Sequence, residues 1–391
     1  MTKDSAQHNE SDEQSTRNIH STRNERSIYN AYNKYYKYGE RILNCIRNIP
    51  TPDEKAESEA RARLDKLTKP LGSLGRLEDL VADIAGMTGN AKPSIDNKAI
   101  VIMCADNGVV DEGVTQVGSE VTASVTENFT KGLTCVNVFS ELVGARIVIV
   151  DIGVKADLRS DGILNMKVRH GASNIAKGPA MSLDEVVLCI ETGISVVEGL
   201  WREGVNVIGT GEMGIGNTTT SSAVTSALLG KDPLLMVGRG AGLSDVGLIR
   251  KREIVKRALD VNKPDADDPI DVVMKVGGFD IAGLIGCYLG ASLHRIPVLV
   301  DGFISAAAAL AATKICPAAR AYMIPSHSSV EPGVSYVIEA LAMKPYLELG
   351  MRLGEGTGAA LGFFLLDAAM AAYTKMGTFG DATNIEQYVP L

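Results

Sequence analysis

One carboxylate stands among glycines shortly before an apolar stretch near the end of the chain. Residues 352–360 read RLGEGTGAA, so Glu355 has a glycine on each side, and residues 359–372 are almost all apolar. Glycine lets a ligand approach the backbone closely, and a helix that begins after Glu355 would favour an anion at its N-terminus. A carboxylate is costly to bury without a partner or a task. Glu355 is therefore a candidate functional residue, although an ordinary acidic residue in the turn before a helix has the same pattern.

A second glycine-rich segment, residues 209–220, reads GTGEMGIGNTTT and places Glu212 among four glycines. It follows a β-branched run at 204–208, which predicts a strand, and it precedes small residues typical of a helix. A strand, a glycine-rich turn and a helix N-terminus together present free N–H groups to an anion. Asn217 stands where a nucleotide-triphosphate loop requires lysine. The segment predicts a monophosphate or ribose-phosphate site, with a tight structural turn as the alternative.

Five further polar or glycine-rich segments lie next to predicted strands or helices. They are residues 106–108, 237–243, 275–280, 301–303 and 326–333. The carboxyl ends of parallel strands meet at one edge of a sheet, and open sheets bind ligands with the groups that follow those strands. Each segment alone is compatible with a structural turn. Their common placement favours one shared site, for which Arg250 and Lys251 are candidate partners of a phosphate.

In the same order, these segments resemble those of the nicotinate-nucleotide:dimethylbenzimidazole phosphoribosyltransferases, which assemble the lower ligand of cobamides. The matching motifs are LTKPLGSLGRL at 67–77, ADNGV at 105–109, GEMGIGNTT at 211–219, DGF at 301–303, SHSSVEPG at 326–333 and LGEG at 353–356. The resemblance covers residues 55–378 in order. It implies an α/β fold with a Rossmann-like parallel sheet, helices on both faces, and a small helical domain built from both chain ends. It also implies a symmetric homodimer.

The resemblance implies a reaction as well as a fold. The phosphoribosyl group of nicotinate mononucleotide would move to 5,6-dimethylbenzimidazole or a related base, giving α-ribazole 5′-phosphate and nicotinate. Glu355 would be the general base, accepting the ring N–H proton while the other ring nitrogen attacks C1′. Glu212 is the candidate for stabilising the positive charge of an oxocarbenium-like transition state. No metal or other cofactor is expected, because the phosphate itself is not transferred.

The other candidate site residues form two groups. For the nucleotide and its phosphate we predict Gly214, Gly216, Asn217, Thr218, Thr219, Gly238, Arg239, Gly240, Lys251, Asp301, Gly302, Ser329, Arg352 and Gly354. For the base pocket we predict Asp106, Ser119 and Leu353. Many family members have Asp-His-Gly where this chain has residues 106–108, and the proline common in the loop at 115–122 is missing. The accepted base therefore stays open between benzimidazoles, purines and phenols.

Composition excludes several other classes of protein. Hydrophobic residues make up 45% and charged residues 22% of the chain, as in ordinary globular proteins. The net charge of −8 argues against a nucleic-acid-binding surface. The apolar stretches at 306–312 and 359–372 are too short to cross a membrane. No signal peptide is recognisable near the start, so we expect a cytoplasmic protein without a membrane partner.

The pattern along the chain predicts four regions. Residues 1–26 are polar and predict a disordered tail. Residues 27–90 predict a helical segment of the small domain, in which five tyrosines between Tyr29 and Tyr38 are spaced for one helix face and suit a subunit contact. In residues 91–333, β-branched runs alternate with helical stretches, which is typical of a parallel sheet with helices on both faces. Residues 334–391 predict the C-terminal helical segment that carries Glu355.

Two rival functions remain open. One is a subunit of a two-chain family variant that activates phenolic lower ligands, or a non-catalytic nucleotide-binding partner. The presence of both Glu355 and Glu212 argues against the non-catalytic partner. The other is a phosphoribosyltransferase with a pyrophosphate donor, which would require an acidic pair before a phosphate loop. The sequence shows no such run.

Overall fold

The computed structural model describes residues 36–381. They fall into two compact units, the first ending at Asn48 and the second beginning at Ile49. The first contains a short 3₁₀ turn, Tyr36–Tyr38, and helix α1, Glu40–Asn48. The predicted polar tail and most of the tyrosine segment lie outside the described residues, so both stay predictions.

The second unit is built on one sheet of six parallel strands in the order β3-β2-β1-β4-β5-β6. The strands are β1 (Lys98–Ala105), β2 (Ala145–Gly153), β3 (Ile163–Asn165), β4 (Val207–Met213), β5 (Val298–Val300) and β6 (Met323–Pro325). The strand order reverses between β1 and β4, as in Rossmann-like folds. This confirms the predicted α/β class. Only β3 was not predicted, because this three-residue edge strand is mostly exposed and has no apolar pattern.

Helices connect the strands. They are α2 (Glu54–Leu64), α3 (Arg76–Thr88), α4 (Glu120–Thr130), α5 (Cys135–Leu142), α6 (Leu183–Arg202), α7 (Asn217–Leu229), α8 (Pro233–Met236), α9 (Asp245–Asn262), α10 (Pro269–Val276), α11 (Phe279–Leu293), α12 (Phe303–Ile315), α13 (Gly333–Ala340) and α14 (Thr357–Lys375). Short 3₁₀ turns cover Gly108–Glu112 and Pro317–Tyr322.

Strand β4 shows that helices cover both faces of the sheet. On one face, the hydroxyls of Thr210 and Tyr288 in α11 form a hydrogen bond of 2.9 Å. Successive side chains of a strand point to opposite faces, so Gly209 belongs to the other face. There a Cβ added to Gly209 would lie only 2.8 Å from the Cβ of Ala359 in α14. Glycine in β4 therefore allows α14 to pack directly on the strand.

The glycine-rich segment at 209–220 differs from its prediction. We expected a strand that ends near residue 209 and a long turn, but β4 continues to Met213 and only residues 214–216 separate it from α7. The reason is pairing: β1 lies alongside β4 as far as Cys104, which is opposite Met213. Ladder hydrogen bonds outweigh the low strand preference of glycine. Glu212 therefore lies on a rigid strand rather than in a loop.

The helices near the two ends of the second unit pack together. Helix α3 contacts both α2 and α14, and Leu67 forms a β-bridge with Thr378. However, α14 also packs on β4 and β5, and is therefore continuous with the sheet. A separate small helical domain is not confirmed.

Helix α14 is longer than the apolar stretch that the sequence suggested. Its 19 residues satisfy the length and composition of a membrane span, which no other helix within residues 36–381 does. More than half of it is buried inside the protein. That burial, together with its packing on the sheet, is typical of a core helix.

Candidate functional site

A cavity of about 590 Å³ opens at the carboxyl end of the sheet. Its walls come from the segments that follow β4, β5 and β6, and from loops at 114–117, 239–243 and 350–355. It lies beside the reversal of strand order between β1 and β4, where open α/β sheets bind ligands. The volume is that of an ordinary small-molecule site.

Most of the predicted site residues line this cavity. They are Glu212, Gly214, Gly216, Asn217, Thr218, Arg239, Gly240, Lys251, Gly302, Ser329, Arg352, Leu353, Gly354 and Glu355. They come from segments far apart in the sequence, so it is the fold that brings them together.

Glu355 has an unusual backbone conformation. Its φ of +62° lies in the left-handed region, between Gly354 at +84° and Gly356 at +90°. Such a conformation is strained for a residue with a Cβ and marks functional sites when the surroundings hold it in place. The neighbouring strand fits closely, because a Cβ added to Gly211 would lie 2.6 Å from the Glu355 carbonyl oxygen. The segment therefore rests directly on the backbone of β4.

Asp301 holds the backbone that follows Glu355. Its buried carboxylate accepts hydrogen bonds from the backbone N–H groups of Gly356 (3.0 Å), Gly358 (2.6 Å) and Ala359 (3.1 Å). These are donors of the first turn of α14, which otherwise lack partners within the helix. Burial, and secondarily the negative charge of Asp301, raise the pKa of Glu355 to about 7. A carboxyl group with that pKa is suited to accept a proton near neutral pH.

Glu212 belongs to a buried polar cluster. The side-chain N–H₂ of Asn217 donates hydrogen bonds both to the Glu212 carboxylate and to Asp280, the latter at 3.0 Å. Burial, reinforced by the charge of Asp280, raises the pKa of Glu212 to about 8. Without a positive charge beside it, Glu212 therefore favours its protonated form. A positive charge placed beside it would favour the carboxylate.

A cationic group lies elsewhere in the cavity wall. The ammonium group of Lys251 is almost fully buried and donates to the Thr218 hydroxyl at 2.8 Å. A Cβ added to Gly240 would lie 3.3 Å from this nitrogen, so the backbone of the 239–243 loop approaches it closely. Burial lowers the pKa of Lys251 to about 8. A bound phosphate would restore the charged form, because an opposite charge stabilises it.

Glu331 holds the loop beside Lys251. One carboxylate oxygen accepts from the N–H of Gly240 at 2.9 Å. The other is buried without a hydrogen-bond partner within residues 36–381. The guanidinium of Arg239 already has partners, because it donates to the Leu243 carbonyl and to the Asp245 carboxylate. Lys251 is therefore better placed than Arg239 to receive a phosphate.

Five predicted residues do not line the cavity: Thr219, Gly238, Asp301, Asp106 and Ser119. Asp301 acts on the backbone before α14, as described above. Thr219 is fully buried in α7. A Cβ added to Gly238 would clash with the Glu331 carboxylate at 2.1 Å, so this glycine provides room for Glu331.

Asp106 and Ser119, which we predicted for the base pocket, are not among the residues that line this cavity. Asp106 accepts a hydrogen bond from the backbone N–H of Lys155 at 2.7 Å, so its carboxylate fixes a neighbouring loop. Ser119 directly precedes α4, and it is Val121 and Val125 of that helix that form the wall. Residues four apart lie on one helix face, a spacing that could have identified this valine pair.

Sequence reasoning also missed polar residues of the site. Glu331 and His327 line the cavity, and both lie in the 326–333 segment. The sequence assigned no role to Glu331 and predicted only a hydrogen-bonded loop role for His327. His327 is buried, with Nδ1 3.2 Å from the Ser326 hydroxyl. Within the described part of the chain, no group of three or more His, Cys, Asp or Glu side chains could hold a metal ion.

Comparisons with known proteins agree with this geometry. A phosphoribosyltransferase family model matches residues 49–383. The nicotinate-nucleotide–dimethylbenzimidazole phosphoribosyltransferase of Ruminiclostridium cellulolyticum is 58% identical over 90% of this chain and 99% of its own. That of Acetivibrio thermocellus is 60% identical over 89% of this chain and 99% of its own. The crystal structure of CobT from Thermus thermophilus superimposes with a TM-score of 0.80 at 39% identity, covering 83% of this chain and 98% of that chain.

The cavity with its buried carboxylates and lysine, the strand order and these matches over most of the sequence all lead to one assignment. The chain belongs to the nicotinate-nucleotide–dimethylbenzimidazole phosphoribosyltransferase family.

Proposed function

We propose that this chain transfers the 5-phosphoribosyl group of nicotinate mononucleotide to 5,6-dimethylbenzimidazole or a closely related base. The observation that carries the proposal is Glu355, whose carboxyl group has a pKa of about 7 and lines the same cavity as Glu212 and the phosphate-binding candidate Lys251. A base, a stabilising carboxyl group and a cation are the groups this reaction needs.

The chemistry follows from these positions. One ring nitrogen of the incoming base attacks C1′ of the ribose, while the bond between C1′ and the pyridinium nitrogen breaks and its electron pair returns to nicotinate. The proton on the other ring nitrogen passes to Glu355. Attack on the face opposite the leaving group gives the α-nucleotide.

Glu212 and Lys251 supply the electrostatic part. The substrate's pyridinium and the oxocarbenium-like transition state are cationic, and either would favour the ionised form of Glu212. Lys251 and the N–H groups at the start of α7 would hold the phosphate. Binding the phosphate firmly fixes C1′ for attack.

Nicotinate release tests the proposal. The protein is incubated with nicotinate mononucleotide and, one at a time, benzimidazoles, purines and phenols, and nicotinate is quantified by chromatography. We expect release that depends on an added base, with an α-linked product identified by NMR. No release with any base would overturn the proposal.

We also propose that the active protein is a homodimer. Three large apolar side chains on or just before α5 are exposed: Leu133 (69%), Val138 (53%) and Leu142 (65%). Apolar patches of this kind mark protein–protein contacts. Light scattering should give the mass of two chains, and Val138→Glu should shift it toward one. A monomeric wild-type protein would refute the dimer.

A further inference from the structure

Asp280 is a fully buried carboxylate that the mechanism above does not use. It lies in the first turn of α11, two positions after the glycine pair at 277–278, in a segment that the sequence singled out without assigning it a role. It does not line the cavity, whereas Glu212 and Asn217 both do. Asp280 can therefore act on the reaction only through residues that line the cavity, such as these two.

The connection is direct. A single nitrogen, Nδ2 of Asn217, donates one hydrogen bond to Glu212 and one to Asp280 Oδ2 at 3.0 Å. An amide nitrogen has two protons, so both are used by the two carboxyl groups. The side-chain N–H₂ of Asn217 is then not available to a phosphate, and its place in the cavity wall serves Glu212 instead.

The backbone around Asp280 leaves its carboxylate little room to move. A Cβ added to Gly214 would lie 2.9 Å from Oδ2, and one added to Gly278 would lie 2.5 Å from Oδ1. The N–H of Ile281 donates to Oδ1 at 3.0 Å. The carboxylate is thus fixed between two glycine backbones, one of them in the turn between β4 and α7.

We propose that Asp280 is a positioning residue for Glu212: through Asn217, the two carboxyl groups form one hydrogen-bonded unit that orients the Glu212 carboxyl, and the nearby negative charge of Asp280 keeps Glu212 protonated until a cationic substrate arrives. This inference rests on the proposed function, because it assigns Glu212 its charge during that reaction. The two carboxyl groups are coupled through their charges, because a negative charge nearby favours the protonated form of a carboxyl group.

The groups around Glu212 determine which partner holds the proton. The carboxyl groups that face it are those of Asp280, Asp301 and Glu355, and all three raise its pKa. The nearby Cys104 thiol in β1 is neutral, because burial raises its pKa. Burial raises the pKa of Asp280 to about 6, below the value of about 8 for Glu212. The pair therefore favours the proton on Glu212 and the negative charge on Asp280.

The test replaces Asp280 by Asn, which can still accept from Asn217 but has no charge. The titration of Glu212 is followed by ¹³C NMR of carboxyl-labelled glutamate, with Glu212→Gln to assign the signal. We expect its midpoint in the wild type to lie above pH 7, and to fall by about one pH unit or more in Asp280→Asn. The ratio of kcat/KM at pH 6 to that at pH 8 should rise several-fold, because Glu212 then ionises more readily.

Asp151→Asn is the matched control. Asp151 is also a buried aspartate near the carboxyl end of a strand, but its partners are Lys167 at 3.3 Å and the N–H of Val154. We expect this control to leave the Glu212 midpoint unchanged. An equal shift in both variants, or none in Asp280→Asn, would overturn the inference.

The inference stays testable even if Asp280→Asn does not fold. A Glu212 midpoint near the ordinary glutamate value in the wild type would also overturn it. Failure of the proposed function is distinguishable, because it would appear as absent nicotinate release while the NMR titration is unaffected.

Discussion

Replacing Asp301 by Asn should affect stability, rate and pH dependence together. In the wild type, Oδ1 accepts from Gly358 and Ala359 and Oδ2 accepts from Gly356. An Asn side chain has one acceptor oxygen, so whichever way it is oriented at least one of these buried N–H groups loses its partner. A lost hydrogen bond to a charged group is worth about 1.5–3 kcal/mol, and the remaining bonds become weaker without the charge. We expect the free energy of unfolding to fall by about 2–4 kcal/mol.

The same change should affect catalysis in two ways. Glu355 is held at a φ of +62° by the backbone that Asp301 fixes, and a loosened Glu355 should reduce kcat at least tenfold, which corresponds to about 1.4 kcal/mol in the barrier. The charge of Asp301 also contributes to raising the pKa of Glu355 to about 7. Without that charge the pKa falls, so Glu355 becomes an active base at lower pH. The acid limb of kcat should therefore move to lower pH.

Urea unfolding and nicotinate release between pH 5.5 and 9 measure all three effects. Asp53→Asn is a suitable control, because Asp53 caps α2 by accepting from the N–H of Ala56 at 2.9 Å and does not line the cavity. The control should lose some stability and leave the pH profile in place. An Asp301→Asn protein with wild-type stability, or with an acid limb at the wild-type pH, would refute this reasoning.

Three further substitutions test separate parts of the site. Glu355→Gln keeps the shape but cannot accept the proton, so kcat should fall roughly 10²–10⁴-fold with little change in nucleotide binding; wild-type turnover at neutral pH would exclude Glu355 as the base. Lys251→Ala should weaken mononucleotide binding by about 1.5–3 kcal/mol in calorimetry. Because the lowered pKa of Lys251 is about 8, the affinity of the wild type for the mononucleotide should decline above that pH. If the affinity is unchanged both in Lys251→Ala and above pH 8, the backbone N–H groups alone bind the phosphate. Gly211→Ala adds a methyl group 2.6 Å from the Glu355 carbonyl oxygen and should lower kcat more than it raises KM; equal kinetics would show that the Glu355 segment can shift without loss.

The sequence predicted the parts of the fold that have a strong local pattern. The apolar, β-branched run in β1 and the nearly continuous apolar run of α14 were both recognisable, because a segment that is buried on all sides consists almost entirely of apolar residues. The extension of β4 through Gly211 to Met213 was not, because pairing with neighbouring strands overrides a weak local preference. The short edge strand β3 was not recognisable either, because its three residues are mostly exposed and an exposed strand has no apolar pattern.

The sequence predicted the site residues that lie in recognisable motifs. It did not predict residues from other segments that act on the site through those motif residues. Glu355 and Glu212 stand out because glycines surround them. Asp280 lies 68 positions after Glu212, and only the folded chain brings both to the amide of Asn217. The charge of Glu212 could not be predicted either, since it depends on burial and on neighbours from three other segments.

The left-handed conformation of Glu355 has a consequence for how this protein can diverge. A residue with a Cβ in that region of φ and ψ lowers the free energy of unfolding by roughly 1–2 kcal/mol, whereas glycine there lowers it far less. Natural proteins exceed their stability threshold by only a few kcal/mol. Glu355→Gly should therefore give an inactive protein that is more stable than its parent. In a lineage that no longer requires the transfer reaction, mutation at this codon would be favoured by folding alone, so loss of function would be difficult to reverse.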